Sequence, residues 1–520
     1  MVTEVTTPRR TARRHLKERD LRFGVIIRTA LLTCFATGAA FWLFSDTISH
    51  YMPTDRTTPL RVSFWGPYEE FEMWKEMLAA FQAKHPGIEV RAEYVPSRYE
   101  QKIQQLFVAD NAPDVILYQD EPYPNIIKSE KFEDLTPYLE RDRASMGLDP
   151  NLDLYEALKR KFWPTAVESF YYDRDGRTQG PRRVFGLPIW GGCNLLYYNK
   201  ECFARSGIRV ASLPSRFSPD DPNGPGGLAR DPNGGWILDD ERWTIDDFVQ
   251  VCRALTVDFN GDGRIDQFGY SLGWWGYYQP FIMTMEADIL DKDLRRTTFY
   301  GPKVEKCLKL FQDMLYGYRV SPTPAELSQI GQGVGFYTGR VAIFNSGPWE
   351  MPFCNATGVG YDILHIPRNP LTRVRATRIT WDAVNMFSGS KKKEQAWLLI
   401  RFLLSPEAQR IVAKVQRSIP ALQEAKGAFI SQNPRVRADK FVRVAGEYGR
   451  MQPITEYWDQ MARACGDAFT ELTNTESAKR LTPAEAIGLF LSDKKLMSVL
   501  PPADPAAAEK YRKAYENRKK

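Results

Sequence analysis

From Leu60 to Tyr118 the sequence alternates between two hydrophobic periods, and that alternation restricts the chain to few folds. Leu60–Phe64 has a strand pattern. Tyr68–Lys84 puts Phe71, Trp74, Met77, Leu78 and Phe81 at helical spacing, and Pro86-Gly87 stops the helix. Residues 88–94 read as a second strand, 99–107 as a helix, and 114–118 as a third strand introduced by Ala112-Pro113. Strand–helix alternation predicts an α/β fold with a parallel sheet and crossover helices. Ligands of such sheets sit at the carboxyl ends of the strands. Those ends are Trp65-Gly66-Pro67-Tyr68 and Gln119-Asp120-Glu121.

The chain has 520 residues, 43% of them apolar, which excludes disorder and fits two or three domains or one bilobal unit. The net charge of +6 collects at the two ends. Residues 1–22 hold seven basic side chains against Glu4, Glu18 and Asp20, and the tail from Lys510 holds six against Glu516. The body between them has no basic excess, which argues against nucleic acid as a partner. The four histidines, His15, His50, His85 and His365, are scattered, so an H-E-x-x-H zinc site is absent. G-x-S-x-G and C-x-x-C are absent too. The seven cysteines read as scattered buried thiols, with Cys193 and Cys202 able to pair in an oxidising compartment.

Residues 23–45 form an apolar run behind the arginine-rich first 22 residues. With Arg28 snorkelling, the run is long enough to cross a ~30 Å hydrocarbon core. It reads as a transmembrane anchor with a cytoplasmic N-terminus and everything beyond the linker 46–59 outside. A cleaved signal peptide and a lipoprotein signal ending at Cys34 are the alternatives. Residues 211–240, rich in Pro, Gly and Asp, read as a surface insertion, and the last 25 residues as a frayed or membrane-hugging basic tail. Thr244 is positioned to cap a helix beginning at Ile245. Asp258, Asn260, Asp262, Arg264 and Asp266 fall at positions 1, 3, 5, 7 and 9 of an EF-hand-like loop with Gly263 at the turn. Position 12 is Gly269, so the bidentate ligand is missing. Structural calcium and a metal-free Asx-rich turn are the two readings. No cofactor is required by any motif.

A series of motifs in order resembles the extracellular solute-binding proteins of ATP-driven sugar importers, the family that includes maltose-binding protein. They are Leu60-Arg61-Val62-Ser63-Phe64-Trp65, His85-Pro86-Gly87-Ile88-Glu89-Val90, Pro113-Asp114-Val115-Ile116, Phe185-Gly186-Leu187-Pro188, Leu196-Tyr197-Tyr198-Asn199-Lys200, and Trp243-Thr244-Ile245-Asp246-Asp247-Phe248. Gly339-Arg340-Val341-Ala342-Ile343, Gly347-Pro348-Trp349, Ala396-Trp397 and Phe402-Leu403-Leu404-Ser405-Pro406-Glu407 complete the set. The resemblance implies a two-lobed periplasmic-binding-protein-like fold of type II, with a hinge, here preceded by one transmembrane helix. It implies lobe 1 at 60–188 and 381–430, and lobe 2 at 189–380 and 431–495, followed by the tail 496–520. The chain would cross between lobes near Pro188, near Trp381 to Met386, and near 430–440.

Sugars present apolar CH faces and rings of hydroxyls, so they need flat aromatics and planar polar groups. The resemblance places stacking tryptophans at Trp349 and Trp458, an aromatic at Tyr118, an acidic hydroxyl-binder near Glu121, and a tyrosine at Tyr277 or Tyr278. Trp65, Trp190, Trp274 and Trp381 lie in segments expected to face the same cleft. Where maltose-binding protein has an acidic ligand residue, this chain has Gly192, so its solute is expected to be held differently. The implied function is capture of a carbohydrate for an ABC-type permease in the membrane, without catalysis. A binding module for another solute, or for a sensor or surface complex, is the alternative. A hydrolase using Asp120 and Glu121 is disfavoured, because neighbours on an extended segment point opposite ways.

Overall fold

A computed structural model describes residues 58–121, 123–172, 182–212, 226–273, 276 and 279–519. The run at 23–45, Cys34, Trp274, Tyr277, Tyr278 and residues 213–225 of the insertion lie outside them. No helix among the described residues is long and apolar enough to cross a membrane.

The opening alternation folds as its periods dictate. Strands β1 (Leu60–Phe64), β2 (Val90–Tyr94) and β3 (Val115–Gln119) are parallel, with β1 between the other two. Helix Tyr68–Lys84 lays Met73, Trp74, Met77, Leu78 and Phe81 against them. The Trp74 ring stacks on Phe64, with centroids 4.6 Å apart and planes 10° from parallel. Burial of such a face holds the helix more firmly than its intrinsic propensity does.

Eight further strands complete two sheets. They are β4 (Gly186–Cys193), β5 (Leu195–Asn199), β6 (Phe268–Ser271), β7 (Val341–Ser346), β8 (Tyr361–Leu364), β9 (Thr377–Met386), β10 (Ile419–Pro420) and β11 (Gly449–Met451). The first sheet has the order β10-β4-β9-β3-β1-β2, with β11 also pairing with β9; the second has the order β6-β7-β5-β8. The chain passes directly from one sheet to the other at Asn194, between β4 and β5. Three hydrogen bonds hold that crossing: Asn194 N to the Arg378 carbonyl (3.1 Å), Asn194 Nδ2 to Asn345 Oδ1 (3.0 Å), and Thr377 Oγ1 to the Asn194 carbonyl (2.7 Å). It returns through the segment between β8 and β9, and β10 and β11 both join the first sheet.

Thr244 caps helix Ile245–Ala254 in a reciprocal box with Asp247, whose Oδ2 also accepts from Gly227 N at 3.0 Å. The tail is neither frayed nor extended: Pro505–Lys519 is a helix packed on helix Pro483–Leu491. Only glycine fits at 488, where a Cβ would sit 2.1 Å from the Tyr511 carbonyl oxygen. Tyr511 Oη donates to Glu305 at 3.1 Å. Cys193 and Cys202 are separate buried thiols.

Candidate functional site

The strand register sorts the side chains of the hinge. Along β9, Arg378, Thr380 and Asp382 are half-buried, while Ile379, Trp381 and Ala383 are fully buried. Alternate residues point to opposite faces, so the three polar residues share one face. Their partners on β4 are Gly192, opposite Thr380, and Trp190, opposite Asp382.

Trp349 lies over this face. It belongs to the loop that follows β7, so it comes from the second sheet. Two glycines make room for its ring. A Cβ on Gly192 would lie 2.6 Å from its Cζ3, and one on Gly347 2.3 Å from its Cζ3 and Cη2. The acidic residue that the resemblance led one to seek at 192 would displace this indole. The loop is tied by Tyr197 Oη to the Gly347 carbonyl (2.6 Å) and by Arg417 Nη1 to the Trp349 carbonyl (3.0 Å). Arg417 also binds Glu70 Oε1 through Nε at 2.5 Å, so one guanidinium joins the first helix to the loop bearing Trp349. Burial raises the Glu70 carboxyl, and Arg417 opposes that rise.

The other expected residues fall in different places. Trp190 donates its indole N–H to Asp382 at 2.7 Å and packs edge-on against Trp74. Trp381 is on the opposite face, fully buried, with Nε1 donating to Thr165 Oγ1 at 3.1 Å. Trp65 and Tyr118 line a pocket of about 310 Å³ with Tyr99, Glu100 and Gln119. There the Trp65 and Tyr99 centroids are 4.9 Å apart, and the buried Tyr118 hydroxyl accepts from Gln104 at 3.3 Å. Glu121 accepts from Arg378 Nη2 and Gln452 Nε2, both at 2.7 Å. Trp458 opens helix Trp458–Leu472 and is 6% exposed. The preceding Glu456 pairs with Lys128, and its carbonyl accepts from Asn125 Nδ2 at 3.2 Å. Gln452 also lines a wider cavity of about 1110 Å³, between Tyr155 and Glu168 on one side and Asp288 and Tyr300 on the other.

Sequence reasoning missed Arg378, Thr380, Asp382, Arg417, Glu70 and Gln452. The first three carried a signal: Thr377–Met386 alternates polar and apolar from Arg378 to Ala383, and only the polar set faces the cleft side. The Glu70–Arg417 pair, 347 residues apart, left none.

Asp120 is buried, accepting from Trp381 N at 3.3 Å and Ser169 Oγ at 3.4 Å. Burial pushes its carboxyl up to about 7, with Glu121 adding and Arg378 opposing. Between the ordinary carboxylate range and pH 7 the folded chain therefore holds a proton that the unfolded chain has lost. This contribution makes stability fall as pH rises from about 4 to 7 and level off above. The melting temperature of Asp120→Asn is expected to depend less on pH than that of the wild type over that interval. Equal slopes in a pH series of melts would show that Asp120 is ionised throughout.

In the Asp258 loop the acidic oxygens are engaged by backbone. Asp258 Oδ1 and Oδ2 accept from Gly261 N and Gly263 N, both at 2.8 Å. Asn260 accepts from Asp262 N (2.8 Å), Asp262 from Arg264 N (2.8 Å), and Asp266 from Phe259 N (2.9 Å). These bonds make a self-capped Asx-rich turn. No group of three or more His, Cys, Asp or Glu among the described residues is placed to hold a metal.

Two sheets joined by crossing strands make a two-lobed α/β molecule. The bacterial extracellular solute-binding protein family matches residues 65–410, and the chain belongs to that family. A binding protein of Brucella abortus is 23% identical over 420 residues, covering 78% of this chain and 85% of that protein. Among solved structures, an ABC substrate-binding protein of Listeria monocytogenes in complex with cycloalternan has a TM-score of 0.64 and 19% identity, covering 89% of this chain and 98% of its own. The sugar-binding protein MalE of Xanthomonas citri has a TM-score of 0.63 and 18% identity, covering 88% and 99%. These two share the two-lobed fold.

Proposed function

We propose that this protein captures a carbohydrate between its lobes outside the cytoplasm and delivers it to an ABC-type importer. The observation that carries this reading is Trp349, a partly exposed indole set by two glycines over Arg378, Thr380 and Asp382. A flat apolar face above planar and hydroxyl polar groups suits a sugar ring, whose CH face stacks while its hydroxyls hydrogen-bond. The cycloalternan complex and the sugar-binding protein among the structural relatives support the same solute class. The apolar run at 23–45 would tether the lobes beside the permease.

A thermal melt of the full chain over mono- and oligosaccharides, with amino acids and small anions as controls, tests the reading. A binder raises the melting temperature by mass action. A shift with a non-sugar control and with no sugar would sink it. Repeating the melt in calcium and in chelator reads the Asp258 loop. No difference is expected, because backbone N–H groups already occupy its oxygens; a lower melting temperature in chelator would make the loop a metal site.

A further inference from the structure

We propose that the solute is a basic sugar, carrying an ammonium group that Asp382 receives. This rests on the carbohydrate reading above and narrows it.

The argument begins with charge matching on the hinge face. Four carboxyl groups, Glu70, Asp120, Glu121 and Asp382, lie close enough to act on one another. Two guanidinium groups are present, and each is committed: Arg417 to Glu70 at 2.5 Å and Arg378 to Glu121 at 2.7 Å. Asp382 accepts from the Trp190 indole at 2.7 Å and has no ion pair among the described residues. A half-buried carboxylate without a cation is unfavourable. Burial raises the Asp382 carboxyl well above its ordinary range, the Trp190 indole opposes the rise, and Asp120, Glu70 and Glu121 add to it.

A second observation concerns hydrogen bonding. Gln452 is 3% exposed and lines the wide cavity, yet its Oε1 has no partner among the described residues. Asp120 Oδ1 is equally without one. The Gln452 oxygen is an acceptor and calls for a donor. Arg378 Nε is an orphan donor among the described residues, and a sugar hydroxyl can accept from it. An ammonium group brings three donors and the missing positive charge together. Trp349, next to Gly192, adds aromatic surface that favours a cation.

The test compares sugars that differ at one substituent. The full chain is titrated calorimetrically with glucosamine and glucose, galactosamine and galactose, and the β-1,4 disaccharides of glucosamine, N-acetylglucosamine and glucose. The amine is expected to bind about tenfold tighter than the hydroxyl or acetamide counterpart, as a charge-assisted bond replaces a neutral one. Wild-type binding of the amine should release a proton, read as a dependence of the heat on buffer ionisation enthalpy. Asp382→Asn should bind each amine and its neutral counterpart alike and release no proton, with a melt confirming that it is folded. Neutral members binding as tightly as their amines, or a preference that survives in Asp382→Asn, would overturn the proposal and leave the carbohydrate reading standing. Failure of every sugar to bind would overturn both.

Discussion

Replacing Trp349 with alanine is expected to weaken solute binding at least about thirtyfold, or roughly 2 kcal/mol, the effect of losing a central aromatic anchor. The melting temperature should hardly move. The ring is partly exposed, and its loop is held by the Tyr197 and Arg417 side chains, which donate to the Gly347 and Trp349 carbonyls that the substitution leaves in place. Calorimetric titration with the stabilising sugar gives the first quantity and a melt the second. Gly192→Ala should act in the same direction, because its Cβ would meet the indole at 2.6 Å from Cζ3. Unchanged affinity in Trp349→Ala would remove the solute from this face altogether.

The opposite outcome is expected for Trp381→Ala. This indole is fully buried, bonded to Thr165, and so close to Gly191 that a Cβ there would lie 2.3 Å from its Cε3. Truncation leaves a cavity in the middle of the first sheet and costs about 3–5 kcal/mol. The folded remainder should bind solute with nearly wild-type affinity, since Trp381 points away from Thr380 and Asp382. Denaturant titration measures the loss. A stability change below about 1 kcal/mol would mean that the site has collapsed or that the ring is not packed as described.

These two tryptophans show what the sequence made legible. The resemblance suggested Trp349 as a stacking residue and put Trp381 in a segment facing the cleft, and the strand period separates them. Thr377–Met386 carries its alternation openly, with polar residues at 378, 380 and 382, but the aromatic at 381 is the more conspicuous symbol. The parallel strands β1 to β3 and the helices between them could be read because each is set by neighbours within a few residues. The pairing of β9 with β4 joins residues some 190 apart, and no local pattern announces it. Gly192 is similar. In the sequence it is only a departure from the motif's acidic residue, and its reason appears once Trp349 arrives from the other sheet. Family order along the chain conveyed the two-lobed fold; the chemistry of the cleft required the register.

The terminal helix Pro505–Lys519 bears on how the molecule is made. Its Tyr511 reaches back 206 residues to Glu305, as Thr377 reaches back 183 to Asn194. Helix Pro483–Leu491 therefore receives its cover only once Pro505–Lys519 has been made. Contacts of such long sequence separation form slowly. Folding of the chain is expected to finish late, once these distant partners are all present. Removing helix Pro505–Lys519 would strip the cover from helix Pro483–Leu491 at Gly488, where Tyr511 and Tyr515 now pack, and favour aggregation over folding.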